Sequence, residues 1–198
     1  MNIKTDSIID IIEVTLNKKI DEVTINDLDY VKYLRVCKNT IDDILTVDSN
    51  DLKLFKNLLE LSIEGCMIDT LFIDNISKLT NLTKISFINC EFVDDAKDYF
   101  ENLKIDTLVL NTVLGLNDIT FTNINKLVLI NCDFNIIVNN IDVLDISRSL
   151  DIKIDLVNSY FKEIIISNYH TVDNYLNNEC KISIKNDYDE VIKVIDNG

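Results

Sequence analysis

The sequence predicts an α/β repeat solenoid: a curved parallel sheet on a concave face, short helices or extended returns on the convex face, and a capping helix at the N-terminus. The first observation is a recurring phrase. Leu58-x-x-Leu61-x-Ile63-x-x-Cys66-x-Ile68 returns as Leu82-x-x-Ile85-x-Phe87-x-x-Cys90-x-Phe92, and again as Ile124-x-x-Leu127-x-Leu129-x-x-Cys132-x-Phe134. Recurrence at such an interval marks stacked structural units. The second is that the core of each copy alternates with period two, as a short strand with one buried face does. The third is that weaker copies fill the rest of the chain, so each unit can bury its apolar face against a neighbour.

Taken in order, Asp6 is placed to cap a helix that carries Ile8, Ile9, Ile11, Ile12 and Leu16. This helix, over about residues 6–19, is expected to cover the open end of the first unit. Repeats follow over about 20–186. A degenerate first copy holds Ile20, Val23, Ile25 and Leu28, and the next holds Val31, Leu34, Val36, Asn39 and Ile41. Ile105, Leu108, Leu110 and Val113 fit between the clear copies. Ile141, Leu144, Ile146 and Ser149 follow, then Phe161, Ile164, Ile166 and Tyr169, and last Ile182 and Ile184. A closing segment over about 187–198 has Val191, Ile192, Val194 and Ile195 among charges, in a short helix or a final strand.

The ninth position of the phrase turns the chain away from its strand. Asn suits it by hydrogen-bonding backbone groups that the turn leaves unpaired, and Cys is a small, readily buried substitute. The step between equivalent residues shortens along the chain, from 27 (Leu34 to Leu61) to 19 (Leu108 to Leu127) and 17 (Leu127 to Leu144). The early returns have room for helix, as over 50–57 and 72–79, and the late ones only for an extended or single-turn path. Long convex returns splay the strands, which predicts a curved N-terminal half and a flatter C-terminal half.

Composition sets the bounds. With 198 residues and 47% hydrophobic content the chain can bury a continuous core. With no Pro and three Gly it carries no linker, so residues 1–198 are expected to form a single elongated domain. A net charge of −15 argues against general nucleic-acid binding, which needs cations on phosphates, and against anionic membrane surfaces. Asp6, Asp10 and Glu13 interrupt the first apolar run, which does not read as a signal peptide, and no apolar stretch reaches membrane-spanning length. A cytoplasmic location and a monomer are the expectations. Cys66, Cys90 and Cys132 are spaced by the repeat rather than in the close pairs of a zinc site. Cys37 and Cys180 are the candidates for partly exposed thiols.

The repeat phrase resembles that of leucine-rich-repeat proteins over most of the chain from about Val31 onward. The stretch containing Val23, Thr24, Asp27 and Leu28, followed by KNLLELSIEGCMI and ISKLTNLTKISFINCEF, is similar to the bacterial internalin-like group of that family. Neither end of the sequence is expected to act as the signal peptide or surface anchor of that group, and the repeats depart from it in shortening after Leu108. The resemblance implies a curved protein-binding scaffold whose concave face carries the third, fifth, seventh and eighth positions of each repeat. There Ile88, Val109, Val128 and Ile130 point outward from neighbouring strands, with Val143 close by and Lys84, Lys126 and Arg148 at the rim. An exposed apolar patch with a charged rim is the usual appearance of a protein interface. The expected partner-binding set is therefore these residues together with Asn111. The rest of the concave face mixes signs, so the acidic excess is expected on the returns, at Asp42, Asp43, Asp94, Asp95 and Asp98.

Nothing in the sequence asks for a catalytic, cofactor or metal site. His170, the single histidine, follows Tyr169 at a turn with no nucleophile beside it in the template. The three glycines are too scattered for a phosphate loop, and Asp27-Leu28-Asp29 lacks the spacing of a calcium loop. The expected function is a non-enzymatic scaffold or adaptor that recognises a protein through the concave face. The alternative is an acidic inhibitor that mimics nucleic acid against a basic protein.

Overall fold

The computed structural model describes residues 3–37, 48–93, 100, 103–155, 159–170, 175 and 179–196. Asn39, Ile41, Asp42, Asp43, Asp94, Asp95 and Asp98 lie outside the described residues. The chain forms a β-solenoid with few helices, built on one long parallel sheet. Its strands are β1 (Tyr33–Cys37), β2 (Glu60–Glu64), β4 (Lys84–Ile88), β6 (Ile105–Asn111), β8 (Ile124–Ile130), β10 (Ile141–Arg148), β12 (Phe161–Ser167), β13 (Lys181–Lys185) and β14 (Val191–Asp196). They lie in that order, each parallel to the last except β14, which folds back antiparallel on β13. The closing segment is thus a strand, turned by Asn186, whose side-chain oxygen accepts the N–H groups of Tyr188 and Glu190.

Register follows the repeat residue for residue. Leu34, Leu61, Ile85, Leu108, Leu127, Leu144, Ile164 and Ile182 align across the sheet. All are buried, and their neighbours in the strands are more exposed, as period two requires. Behind the sheet, Phe72, Phe87, Phe92, Phe100 and Phe121 form a chain of edge-on and tilted rings with centroids 5.1–6.5 Å apart.

The returns change character along the chain. The early ones carry short helices over Ser49–Leu52 and Thr70–Ile76, capped by Asp48 on the N–H of Asn50 and by Asp69 on that of Phe72. Short strands β3 (Met67–Ile68) and β5 (Glu91–Phe92) pair beside them. The later returns are extended: β7 (Ile119–Thr122), β9 (Asn135–Asn139) and β11 (Lys153–Ile154) make a second parallel sheet. Asn123 alone links β7 to β8, and Asn140 alone links β9 to β10, each at φ 57°. This left-handed conformation is one that Asn tolerates best after Gly.

The N-terminal segment departs from expectation in three ways. The helix α1 covers Asp6–Leu16 rather than running to residue 19, because Asn17 turns left-handed at φ 50° and ends it. Its N-cap is Thr5, not Asp6, and the N–H groups of Lys4 and Thr5 are held by the Asp51 carboxylate. Ile8 and Ile12 of this helix are buried in the core. The degenerate first copy is not a strand: Ile20–Glu22 is a 3-10 turn and Ile25–Leu28 a short helix α2. Thr24 and Asp27 close a capping box there, and that local pairing outweighs the apolar alternation.

At the ends of β2, β4, β6 and β8 the chain turns through one left-handed residue. These are Gly65, Asn89, Thr112 and Asn131, at φ 68°, 51°, 52° and 49°. Each N–H donates to the last carbonyl of the next strand, Ile88, Asn111, Ile130 and Arg148, at 2.9 Å. The thiols follow. Cys66 donates to the Glu64 carbonyl at 3.3 Å, Cys90 to those of Ile63 and Ile88, and Cys132 to those of Leu110 and Ile130. Burial pushes the Cys66 thiol up to about 12 and raises those of Cys90 and Cys132. Cys180, expected to be partly exposed, is buried.

Candidate functional site

The face of the long sheet opposite the core is built from three rows of side chains, set by the register. One row runs Glu60, Lys84, Thr107, Lys126, Val143, Glu163 and Lys181. The middle row runs Ser62, Ser86, Val109, Val128, Asp145, Ile165 and Ser183. The third runs Glu64, Ile88, Asn111, Ile130 and Arg148. All nine residues expected at a partner site, Lys84, Ile88, Val109, Asn111, Lys126, Val128, Ile130, Val143 and Arg148, therefore share one face of four neighbouring strands.

Three features differ from the sequence reading. The apolar residues are half-buried rather than fully exposed, since Ile88, Val109, Val128, Ile130 and Val143 shield one another. Asp145, which stands in the middle row between Val128 and Ile165 as the repeat places it, is buried rather than open on the face. A bulge between Asp145 and Arg148 sets Arg148, rather than Ser147, opposite Ile130. Ser147 instead donates its N–H and hydroxyl to Asp145 Oδ1, at 3.1 and 2.6 Å. Bulges re-aim side chains in this way, and no residue type announces this one.

The cations of this face are mostly spoken for. Arg35 pairs with Glu64 at 2.5 Å, Lys84 with Glu60 at 3.2 Å and Lys181 with Glu163 at 2.9 Å. Lys185 bridges Asp145 and Asp189, each at 3.0 Å, and Arg148 reaches Asp189 at 3.1 Å. Lys84 and Arg148 are thus rim residues whose charge is already compensated. Hydrogen bonds from Lys185 and the nearby Arg148 guanidinium hold the Asp189 carboxyl below its ordinary value. Lys126 makes no ion pair among the described residues, although its charge is felt at Glu163.

His170 does have a hydroxyl beside it, contrary to the template reading. The Ser167 Oγ lies 2.8 Å from its Nδ1, which also accepts the Ser167 backbone N–H at 3.2 Å. Nδ1 is therefore the bare nitrogen, and Nε2–H donates to the Ser149 carbonyl at 3.1 Å. Burial lowers the pKa of this imidazole. The surrounding N–H groups are committed: Asn168 to the Lys185 carbonyl, Tyr169 to Ser167 Oγ and His170 to the Ser167 carbonyl. The arrangement locks a turn onto the preceding rung.

No helix among the described residues is long and apolar enough to cross a membrane, and they contain no group of three or more metal-ligating side chains. No protein-family model and no curated protein matches the chain.

Proposed function

We propose that the chain is a non-enzymatic scaffold of leucine-rich-repeat type, with α1 as its N-terminal cap, that binds a protein partner through the outer face of its long sheet. The observation that carries the reading is the cluster of Ile88, Val109, Val128, Ile130 and Val143, in register on adjacent rungs and ringed by ion pairs that largely cancel one another. A rigid sheet presents such a patch at little ordering cost on binding. Its compensated charges favour contacts that survive salt, since exposed pairs contribute little net field.

The net charge of −15 motivates a second reading, an inhibitor that presents carboxylates to a cationic groove. That function needs a row of acidic groups, and the outer sheet face alternates signs instead.

The two readings separate in one experiment. The protein and its Val128→Asp variant are used to capture proteins from native lysate at low and moderate salt, with thermal melts as a folding control. A protein held through moderate salt by the parent and lost from the variant is the expected result. Capture that ignores the substitution and fades with salt would move the function to charge mimicry. A variant that fails to fold would show that Val128 acts in the core instead.

A further inference from the structure

The middle row of the outer face begins with short side chains, and longer ones stand on either side of them, with Thr107 and Asn111 as the shorter members of the flanking rows. Ser62, Ser86, Val109 and Val128 form a floor. Lys84 and Lys126 stand along one side, Ile88 and Ile130 along the other. A cleft of about 540 Å³ lies over the N-terminal end of this floor, between Tyr33 and Ser86. The outer rows sit four residues apart along each strand, roughly 13 Å at about 3.3 Å per residue. An α-helix with its side chains is about 10–12 Å across.

The periods agree as well. Successive rungs are about 4.8 Å apart, and a helix advances about 5.4 Å per turn. A helix laid across the strands would set nearly one turn on each rung. An extended segment would put same-side residues roughly 6.6 Å apart, out of step with the rungs. Charge adds the third constraint, because Lys126 is the cation of this face without an ion pair among the described residues.

We infer that the occupant of this face is an amphipathic α-helix of a partner protein, lying across the strands with its apolar side on Val109 and Val128 and a carboxylate on its flank against Lys126. This rests on the protein-binding reading of the same face and adds the form and charge of what binds. Roughly 13 residues of helix, at about 1.5 Å each, span the rungs from Ser86 to Ile165.

The test is a selection from a phage-displayed library of random 16-residue peptides against the full chain, followed by affinity measurements on synthesised binders. Binders are expected to carry apolar residues at i, i+3, i+4 and i+7 with Asp or Glu on one flank, and to become helical by circular dichroism when bound. They should lose at least tenfold in affinity for Val128→Asp and for Lys126→Glu, both checked for parental thermal stability. Binders that depend on Val128 but show period-two or no periodicity would overturn the helix and leave the face standing. Dependence on Val128 with indifference to Lys126→Glu would overturn the carboxylate contact. Binders indifferent to both substitutions, or a selection that yields none, would overturn the protein-binding reading together with the helix.

Discussion

Thr112 occupies a position that its own chemistry resists. Its φ of 52° is left-handed, and it is the one β-branched residue in the turn column of Gly65, Asn89, Thr112 and Asn131. A left-handed L-residue costs about 1–2 kcal/mol, and a branched Cβ lies at the upper end of that range. Replacement by Asn keeps the backbone bond from residue 112 to the Ile130 carbonyl at 2.9 Å. It gives up the exposed hydroxyl contact to Asn111 Oδ1 at 3.1 Å, worth about 0.5 kcal/mol or less at the surface. The balance predicts that Thr112→Asn stabilises the protein by about 1 kcal/mol. For a chain of this length that corresponds to a rise in Tm of roughly 2–4 °C. Differential scanning calorimetry reads it directly, and Asn131→Thr should show the opposite shift. If Thr112→Asn melts at or below the parent temperature, strain in the turn column is not what sets its residue preference.

Other outcomes follow from the same geometry. A Cβ on Gly115, at φ +83°, would lie 2.0 Å from the Phe92 carbonyl oxygen, so Gly115→Ala should cost about 3–5 kcal/mol from strain and overlap; a denaturant midpoint equal to that of the parent would exclude the close approach. Lys185→Met leaves the buried Asp145 carboxylate without its ammonium partner at 3.0 Å and should destabilise by about 3 kcal/mol, measured by urea unfolding at pH 7. His170 has its pKa lowered by burial, so the folded state binds fewer protons than the unfolded state. Its contribution to stability is complete above the unfolded value near 6.5 and is lost as pH falls from there through the folded value. Tm of the parent should therefore fall across that window more steeply than Tm of His170→Gln, and parallel profiles would remove the imidazole from the account.

Most of the sheet was legible in the sequence because its signal is repeated. Leu61, Ile85, Leu108 and Leu127 stand at equivalent places in four phrases, and the register joins those same residues. Eight of the nine expected partner-face residues fall on one face for the same reason, since period two fixes which side each one leaves by, and Arg148 joins them only through the bulge. Features decided by local pairing were not legible in this way. The capping box at Thr24 and Asp27 converts an apolar alternation into helix α2. The bulge after Asp145 exchanges Ser147 for Arg148 without any change in residue type to mark it. The contact of His170 with Ser149 crosses 21 residues and depends on how two turns stack. The left-handed column could have been found: Gly65, Asn89 and Asn131 all precede the cysteine of their phrase, and these are the residue types that adopt that conformation most readily.

The one-residue corners at Asn123 and Asn140 bear on how this protein can change length. A single inserted residue in the strand that follows such a corner would turn its inner side chains outward, sending Leu127 or Leu144 to solvent. Small insertions and deletions are therefore tolerated least between such a corner and the strand after it. The later half can instead change length in the turns that leave the long sheet, 112–118 and 131–134, which already differ, or by complete rungs, like a ladder lengthened one step at a time.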